Sequence, residues 1–397
     1  MTRLLSGISE LYTPFERFTD AALVLEGDRV AWVGARADLP AEYRQLPVEN
    51  LGGRGVLPGL VDSHTHLVWA GSRVGEYVAR SRGAKYEEIL EAGGGIHSTV
   101  AATRTAGASA LLALARMRAS AFLRGGVTSL EIKSGYGLDT ESEITMLRVA
   151  RELGEQGPQR VTTTLLAHVP DPAVPRDQYV ERFVSETIPE VAVAGLADAV
   201  DVFCDRGAFT LDEARRILTA AKAHGLGVKA HAEQLSHTGA SKLVAELGGL
   251  SADHLELSDE SDWRALAASG TVATLLPGAA VILGKPLPSA AGLRAAGVKT
   301  AIASDHNPGS SPLYGLLPAL QLATALAGFS VEEALVAGTA HAADALGRPD
   351  WGRLEPGSLA DFLVVDGPEA LLPLYSWGHS RLFEMVIGGT SVWRKDG

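Results

Sequence analysis

The sequence predicts an α/β protein, a (β/α)8 TIM-like barrel with a small β-sandwich domain built from both chain termini. Three observations lead there. Between residues 56 and 351, short apolar runs alternate with longer helix-like stretches, the pattern of repeated βα units and a parallel sheet. The apolar runs number eight, enough to close a barrel. Residues 1–55 and 352–397 read instead as short strands, so one composite β domain gathers the termini beside the barrel of residues 56–351. The 397 residues leave room for both, since a barrel takes about 250 residues as one domain.

Taken in order, the first segment carries Leu23-Val24-Leu25-Glu26-Gly27-Asp28-Arg29-Val30-Ala31-Trp32-Val33. Two β-rich runs about a Gly-Asp turn signal a hairpin. Barrel strands are expected at 56–61, 127–132, 161–167, 199–204, 227–230, 250–253, 271–275 and 300–303. Helical patterns fill intervals at 108–124, 141–153, 211–223, 238–247 and 259–268, several closed by a helix-stopping glycine. The stretch 71–107 is too long for an ordinary βα connection and contains Gly93-Gly94-Gly95. It is read as an excursion over the barrel mouth, either a lid or an irregular surface loop. Strand chemistry returns at 357–366 and 383–393.

Composition removes several function classes. Hydrophobic residues at 46% and charged residues at 21% exclude a disordered or fibrous chain. The 35 basic and 47 acidic side chains give a formal charge of -12, which opposes binding to nucleic-acid phosphates or anionic membranes. Neither is expected as a partner. No signal-peptide pattern opens the chain and no apolar run reaches about 18 residues, so a cytoplasmic location is expected. The single cysteine, Cys204, has no intrachain disulfide partner and reads as a small buried strand residue.

Active sites of such barrels lie at the carboxyl ends of the strands, so polar residues that close apolar runs are candidates by position. His64 and His66 close the first run, and strand alternation sends both to one side. Glu131 and Tyr136 lie at or just past the second. His168 closes the third, His231 the fifth, His254 the sixth and Asp305 the eighth. Three imidazoles and a carboxylate, His64, His66, His231 and Asp305, suit zinc or iron(II), with a position left for a water that the ion activates. Asp305 is placed to take the water's proton and return it to a leaving nitrogen, and His254 to orient the water or polarise a carbonyl. His224, His237, His341 and His379 fall on helical or terminal segments and read as packing or solvent residues, while His306 is expected to point away from Asp305.

Through these motifs the chain resembles the amidohydrolase superfamily and, within it, the imidazolonepropionase family. Pro58-Gly59-Leu60-Val61-Asp62-Ser63-His64-Thr65-His66 and Leu354-Glu355-Pro356-Gly357-Ser358-Leu359-Ala360-Asp361 carry the superfamily. The narrower likeness rests on Glu131-Ile132-Lys133-Ser134-Gly135-Tyr136-Gly137-Leu138, His231-Ala232-Glu233-Gln234-Leu235-Ser236 and Ser304-Asp305-His306-Asn307-Pro308-Gly309-Ser310-Ser311. The resemblance implies hydrolysis of 4-imidazolone-5-propanoate to N-formimidoyl-L-glutamate, a ring-opening step of histidine degradation. It implies His64, His66, His231 and Asp305 as ligands of one divalent metal ion, zinc or iron. Arg73, Tyr136, His168, Gln234, Asn307, Gly309 and Ser310 match substrate-contacting positions, and His254 a catalytic histidine. Gln234 stands where some relatives carry glutamate and cannot take a proton at neutral pH, so proton transfer is assigned to Asp305 with His254 supporting. Lys133 is not expected to be the carboxylated lysine of two-metal relatives. A homodimer acting on a small anionic imidazolone is the implied working state. The rival readings are another amidohydrolase, such as a nucleobase deaminase, and a non-catalytic binding protein on the same barrel. Arg73, a planar fork suited to a propanoate carboxylate, together with Tyr136 and the loop 307–310, favours the imidazolone over a nucleobase.

Overall fold

A computed structural model describes residues 1–83 and 94–395. Among them lie two sheets. The first holds β1 (Thr2–Tyr12), β2 (Arg17–Glu26), β3 (Arg29–Ala35), β4 (Val48–Pro58), β13 (Phe362–Val365), β14 (Leu382–Ile387) and β15 (Thr390–Arg394) in the order β15-β14-β13-β4-β1-β2-β3. Both termini thus share one sheet. Register slips around Ile8 bend β1, and apolar residues from opposite ends of the sheet, such as Leu23, Val56 and Phe362, meet in one core.

The second sheet is the barrel: β5 (Leu60–Asp62), β6 (Val127–Lys133), β7 (Arg160–Ala167), β8 (Ala199–Cys204), β9 (Gly227–Ala232), β10 (Ser251–His254), β11 (Val272–Leu275) and β12 (Thr300–Ile302), each parallel to the next. The seam between β5 and β12 closes just beyond the strands. There Asp305 N donates to His64 O at 3.0 Å, His66 N to His306 O at 2.9 Å and Ser304 N to Asp62 Oδ1 at 3.1 Å. The segments that carry His64, His66 and Asp305 are therefore the seam itself.

The expected strand 56–61 divides in two. Residues through Pro58 belong to β4 of the terminal sheet, and only Leu60–Asp62 enters the barrel. The handover is at Gly59, whose N–H donates to Asp361 O, outside the barrel, while Leu60 N donates to Gly126 O. Thr128 leaves no room there for a side chain: a Cβ on Gly59 would lie 2.2 Å from its Oγ1.

Strand alternation sets what faces where. On β6, Leu130 and Ile132 join the core beneath the helices while Glu131 and Lys133 turn into the barrel. Val200 and Val202 flank inward Asp201 on β8, and Val228 and Ala230 alternate with inward Lys229 and His231 on β9. The helices include α1 (Val74–Ser81), α2 (Ile96–Arg124), α3 (Thr140–Gln156), α4 (Leu211–Ala223), α5 (Ala240–Glu246) and α6 (Glu260–Ser269). The expected helix 108–124 begins twelve residues earlier, interrupted by non-helical Gly107. Much of the expected excursion 71–107 is thus α1 and the start of α2. Its centre, with Gly93 and the lid reading, lies outside the described residues.

Candidate metal centre and active site

The barrel mouth gathers the imidazoles named above. Ring centres of His64 and His231 lie 4.5 Å apart, His64 and His66 5.4 Å, His231 and His254 5.1 Å, and His66 and His168 5.9 Å. Asp305 Oδ1 lies 3.4 Å from His64 Nε2 and 3.5 Å from His66 Nε2. Ligand atoms at zinc bond lengths of about 2.0–2.1 Å in a tetrahedron stand roughly 3.3 Å apart, so this spacing is that of atoms sharing an ion. His64 Nε2 and Asp305 Oδ2 are buried with no hydrogen-bond partner among the described residues. Such orphaned atoms are costly unless something binds them. His231 reaches the group through His64, with which it and His254 form a second cluster of potential ligand atoms.

Buried carboxylates fix the imidazoles. His64 Nδ1 donates to Asp253 Oδ2 at 2.6 Å, and His231 Nδ1 donates to Asp201 Oδ1 at 3.0 Å, which leaves both Nε2 lone pairs facing the centre. The carboxylates are held in turn. Lys133 Nζ lies 2.7 Å from Asp201 Oδ2 and 2.8 Å from Glu131 Oε2, and Lys229 Nζ lies 2.7 Å from Glu131 Oε1. Despite the opposing effect of burial, His231 and Lys133 keep the Asp201 carboxyl well below its ordinary pKa. Lys133 thus forms ion pairs with both Asp201 and Glu131. Asp201, Asp253 and Lys229 belong to this buried network and are passed over by the strand-end reading, which names Glu131 alone of its carboxylates beside the centre. A lone charge within an apolar run, Asp201 in 199–204, Lys229 in 227–230 and Asp253 in 250–253, was the available signal.

His254 and Asp305 depart from regular strand geometry. Asp253 and His254 are consecutive yet both face the site, which alternation forbids. The chain achieves it with φ of 82° at His254 and 70° at Leu255, and Asp305 has φ 52°. Each such residue costs about 1–3 kcal/mol and persists where surrounding structure imposes it. Burial disfavours a charged His254, but Glu256, whose Oε1 is 3.3 Å from Nδ1, and Asp305 outweigh it and raise the pKa.

His168 Nδ1 donates to Gly135 O at 3.1 Å, so its Nε2 is an acceptor, and burial beside His66 lowers its pKa to about 3. Tyr136 packs 5.3 Å from His168, and burial beside Asp305 holds its hydroxyl protonated. Gln234 is buried three residues beyond His231. Arg73, Asn307 and Gly309 line a cavity of about 400 Å³ with Trp69, Tyr314 and His306. His306 turns from Asp305 and donates from Nδ1 to Leu313 O at 2.7 Å. Gly309 N and Ser310 N both donate to Asn307 Oδ1, at 2.8 and 2.7 Å, so in this structure these amides hold the loop rather than point into the cavity. Burial pushes the Cys204 thiol up to about 11, in keeping with an inert core residue.

Known proteins match this arrangement at two levels. The profile of the amidohydrolase family matches residues 56–387, and the chain belongs to that family. An imidazolonepropionase of Deinococcus radiodurans is 46% identical over 401 residues, 98% of this chain and 99% of its own. One of Cupriavidus pinatubonensis is 50% identical over 365 residues, 90% of this chain and 86% of its own. Within the amidohydrolases, the chain belongs with the imidazolonepropionases. An adenosine deaminase from Xanthomonas campestris, solved with bound zinc, shares the fold with a TM-score of 0.72 at 19% identity, over 98% of this chain and 92% of its own. No helix among the described residues is long and apolar enough to cross a membrane.

Proposed function

We propose that the chain hydrolyses the ring amide of 4-imidazolone-5-propanoate to N-formimidoyl-L-glutamate, using one divalent ion, zinc or iron, held by His64, His66, His231 and Asp305. The observation that carries this is the near-complete alignment with imidazolonepropionases, 46% identical over 98% of the chain. The donor set fits a divalent ion: Glu131, Asp201 and Asp253, which pair with the buried ammonium groups of Lys133 and Lys229, together with Asp305, which lies against His64 and His66, outnumber those two cations by two negative charges. When bound, such an ion polarises a carbonyl and lowers the pKa of water to about 7.

The remaining steps fall to the chain. Asp305 Oδ2, buried and unpartnered, accepts a proton from the attacking water and delivers it to the ring nitrogen as the carbon–nitrogen bond breaks. His254, held through Nδ1 by Glu256, donates from Nε2 to the oxygen that gains negative charge. His168 Nε2 accepts a ring N–H, and the Tyr136 hydroxyl donates to the substrate. Gln234 contributes neutral hydrogen bonds. Arg73 receives the propanoate carboxylate, and Asn307 with Gly309 and Ser310 forms the loop that closes this end of the site.

The test measures metal content and loss of the imidazolone's ultraviolet absorbance on one sample. About one ion per chain with turnover is expected. Metal-replete protein that leaves the absorbance unchanged and deaminates a nucleobase would overturn the reading. Two chains per particle by light scattering, and no retention on nucleic acid, belong to the same proposal; the formal charge of -12 supports the second.

A further inference from the structure

We infer that Glu76 is a positioning residue for carboxylate recognition, acting through Arg73. The inference rests on the proposed reading of Arg73 as the fork for the substrate's propanoate. Arg73 precedes α1, and Glu76 and Arg80 follow at spacings that put all three on one helix face. Glu76 Oε2 accepts from Arg73 Nε at 2.9 Å and from Nη2 at 2.6 Å. Its other oxygen, Oε1, accepts from Gly95 N at 2.8 Å, just before α2. The carboxylate therefore ties the guanidinium to two helices at once.

A guanidinium has five N–H groups, and this pairing consumes one edge. What remains is the end formed by Nη1 and Nη2, which is itself a fork for a second carboxylate. Nη1 has no acceptor among the described residues, and it packs on Gly309, where an added Cβ would lie only 2.3 Å away. Arg80 Nη2 donates to Gly309 O at 2.8 Å, which holds the opposite wall of this contact in place. The side chains of Arg73 and Glu76 are only 12% and 13% exposed, so the pair is held rather than swinging in solvent. Without Glu76 the guanidinium keeps its charge but loses its direction. The ordering that Glu76 supplies in advance must then come from substrate binding.

The experiment is steady-state kinetics of the metal-loaded enzyme on 4-imidazolone-5-propanoate and on its uncharged propanamide, with wild type, R73A, E76Q and E76D. Losing an oriented charged hydrogen-bond pair is expected to raise the propanoate KM of E76Q about tenfold. Its kcat should stay within about twofold and its propanamide KM unchanged, because only the carboxylate end is disturbed. E76D, which keeps the charge, should recover part of the propanoate KM, and it carries the same comparison should E76Q not fold. Equal KM changes on both compounds would show a merely structural Glu76 and overturn the inference. So would an R73A that shifts the acid-to-amide ratio alongside an E76Q that does not. An R73A that leaves the ratio unmoved would instead remove the reading of Arg73 on which the inference stands.

Discussion

At the scale of single residues, the groups proposed to hold an ion are set by groups that do not touch it. His64 and His231 each have two ring nitrogens, and only the hydrogen bonds to Asp253 and Asp201 decide which one faces the centre. Asp253→Asn keeps the shape, removes the charge and allows the wrong tautomer. It is expected to weaken metal affinity by about 10–100-fold in a chelator competition assay, since loss of such partners has that effect elsewhere. An unchanged affinity would mean that Asp253 serves packing alone. Gly309 gives a second case, through space rather than charge. With Nη1 of Arg73 lying 2.3 Å from any added Cβ, Gly309→Ala must displace the guanidinium or the loop. A several-fold rise in KM with little change in kcat is expected from steady-state kinetics, and wild-type KM would count against the contact.

At the scale of elements, the chain passes from the terminal sheet into the barrel at one residue, Gly59, and the helices carry their own signals. Gly59→Ala would set a Cβ 2.2 Å from Thr128 Oγ1 at the handover from β4 to β5. Overpacking of this kind costs about 1–3 kcal/mol, to be read from denaturant unfolding, and a neutral result would show that the junction yields. Helix α4 begins in a capping box: Thr210 Oγ1 accepts from Glu213 N at 3.3 Å, and Glu213 Oε2 accepts from Thr210 N at 2.8 Å. Arg176 Nε adds a bond to Glu213 Oε1 at 2.5 Å. Burial opposes the charge, but Arg176 and Thr210 prevail and hold the Glu213 pKa at about 2, below the ordinary 4.5. A depressed carboxyl stabilises the fold fully above its unfolded pKa and loses that contribution as pH falls toward the folded value. Between pH 4.5 and 2, wild type should therefore lose stability more steeply than Arg176→Ala. Parallel acid limbs in the two proteins would deny Arg176 this role.

At the scale of the molecule, the sequence made the barrel and the ring of histidines legible because both follow from position: apolar runs recur, and polar residues close them. Ala199–Cys204 and Leu211–Ala223 match their expected bounds to the residue. What it did not show lies off that rule. The division of 56–61 shows in the partners of Gly59 and Leu60, Asp361 and Gly126, which lie far along the chain, and the paired inward turn of Asp253 and His254 depends on backbone dihedrals that no periodicity reports. The interior charges, Glu131, Lys133, Asp201 and Lys229, were visible as letters but not as one network, since their partners come from different strands.

That network ties the stability of the barrel to the ion proposed at its mouth. Four buried carboxylates against two ammonium groups leave like charges close together in a low-dielectric interior unless a divalent cation balances them. The ion therefore binds the folded chain in preference to the unfolded one. At a concentration 1,000 times its dissociation constant, it adds about 4 kcal/mol of stability. Chelation is expected to lower the melting temperature by several degrees, and stoichiometric zinc or iron(II) to restore it. Asp305→Asn removes one excess charge together with one ligand, so its metal-free form should melt above metal-free wild type while gaining less from added ion. The check is thermal unfolding of both proteins with metal content measured before and after chelation. A verified metal-free wild type that melts where the loaded protein does would separate the charge network from the ion and leave it a purely structural device.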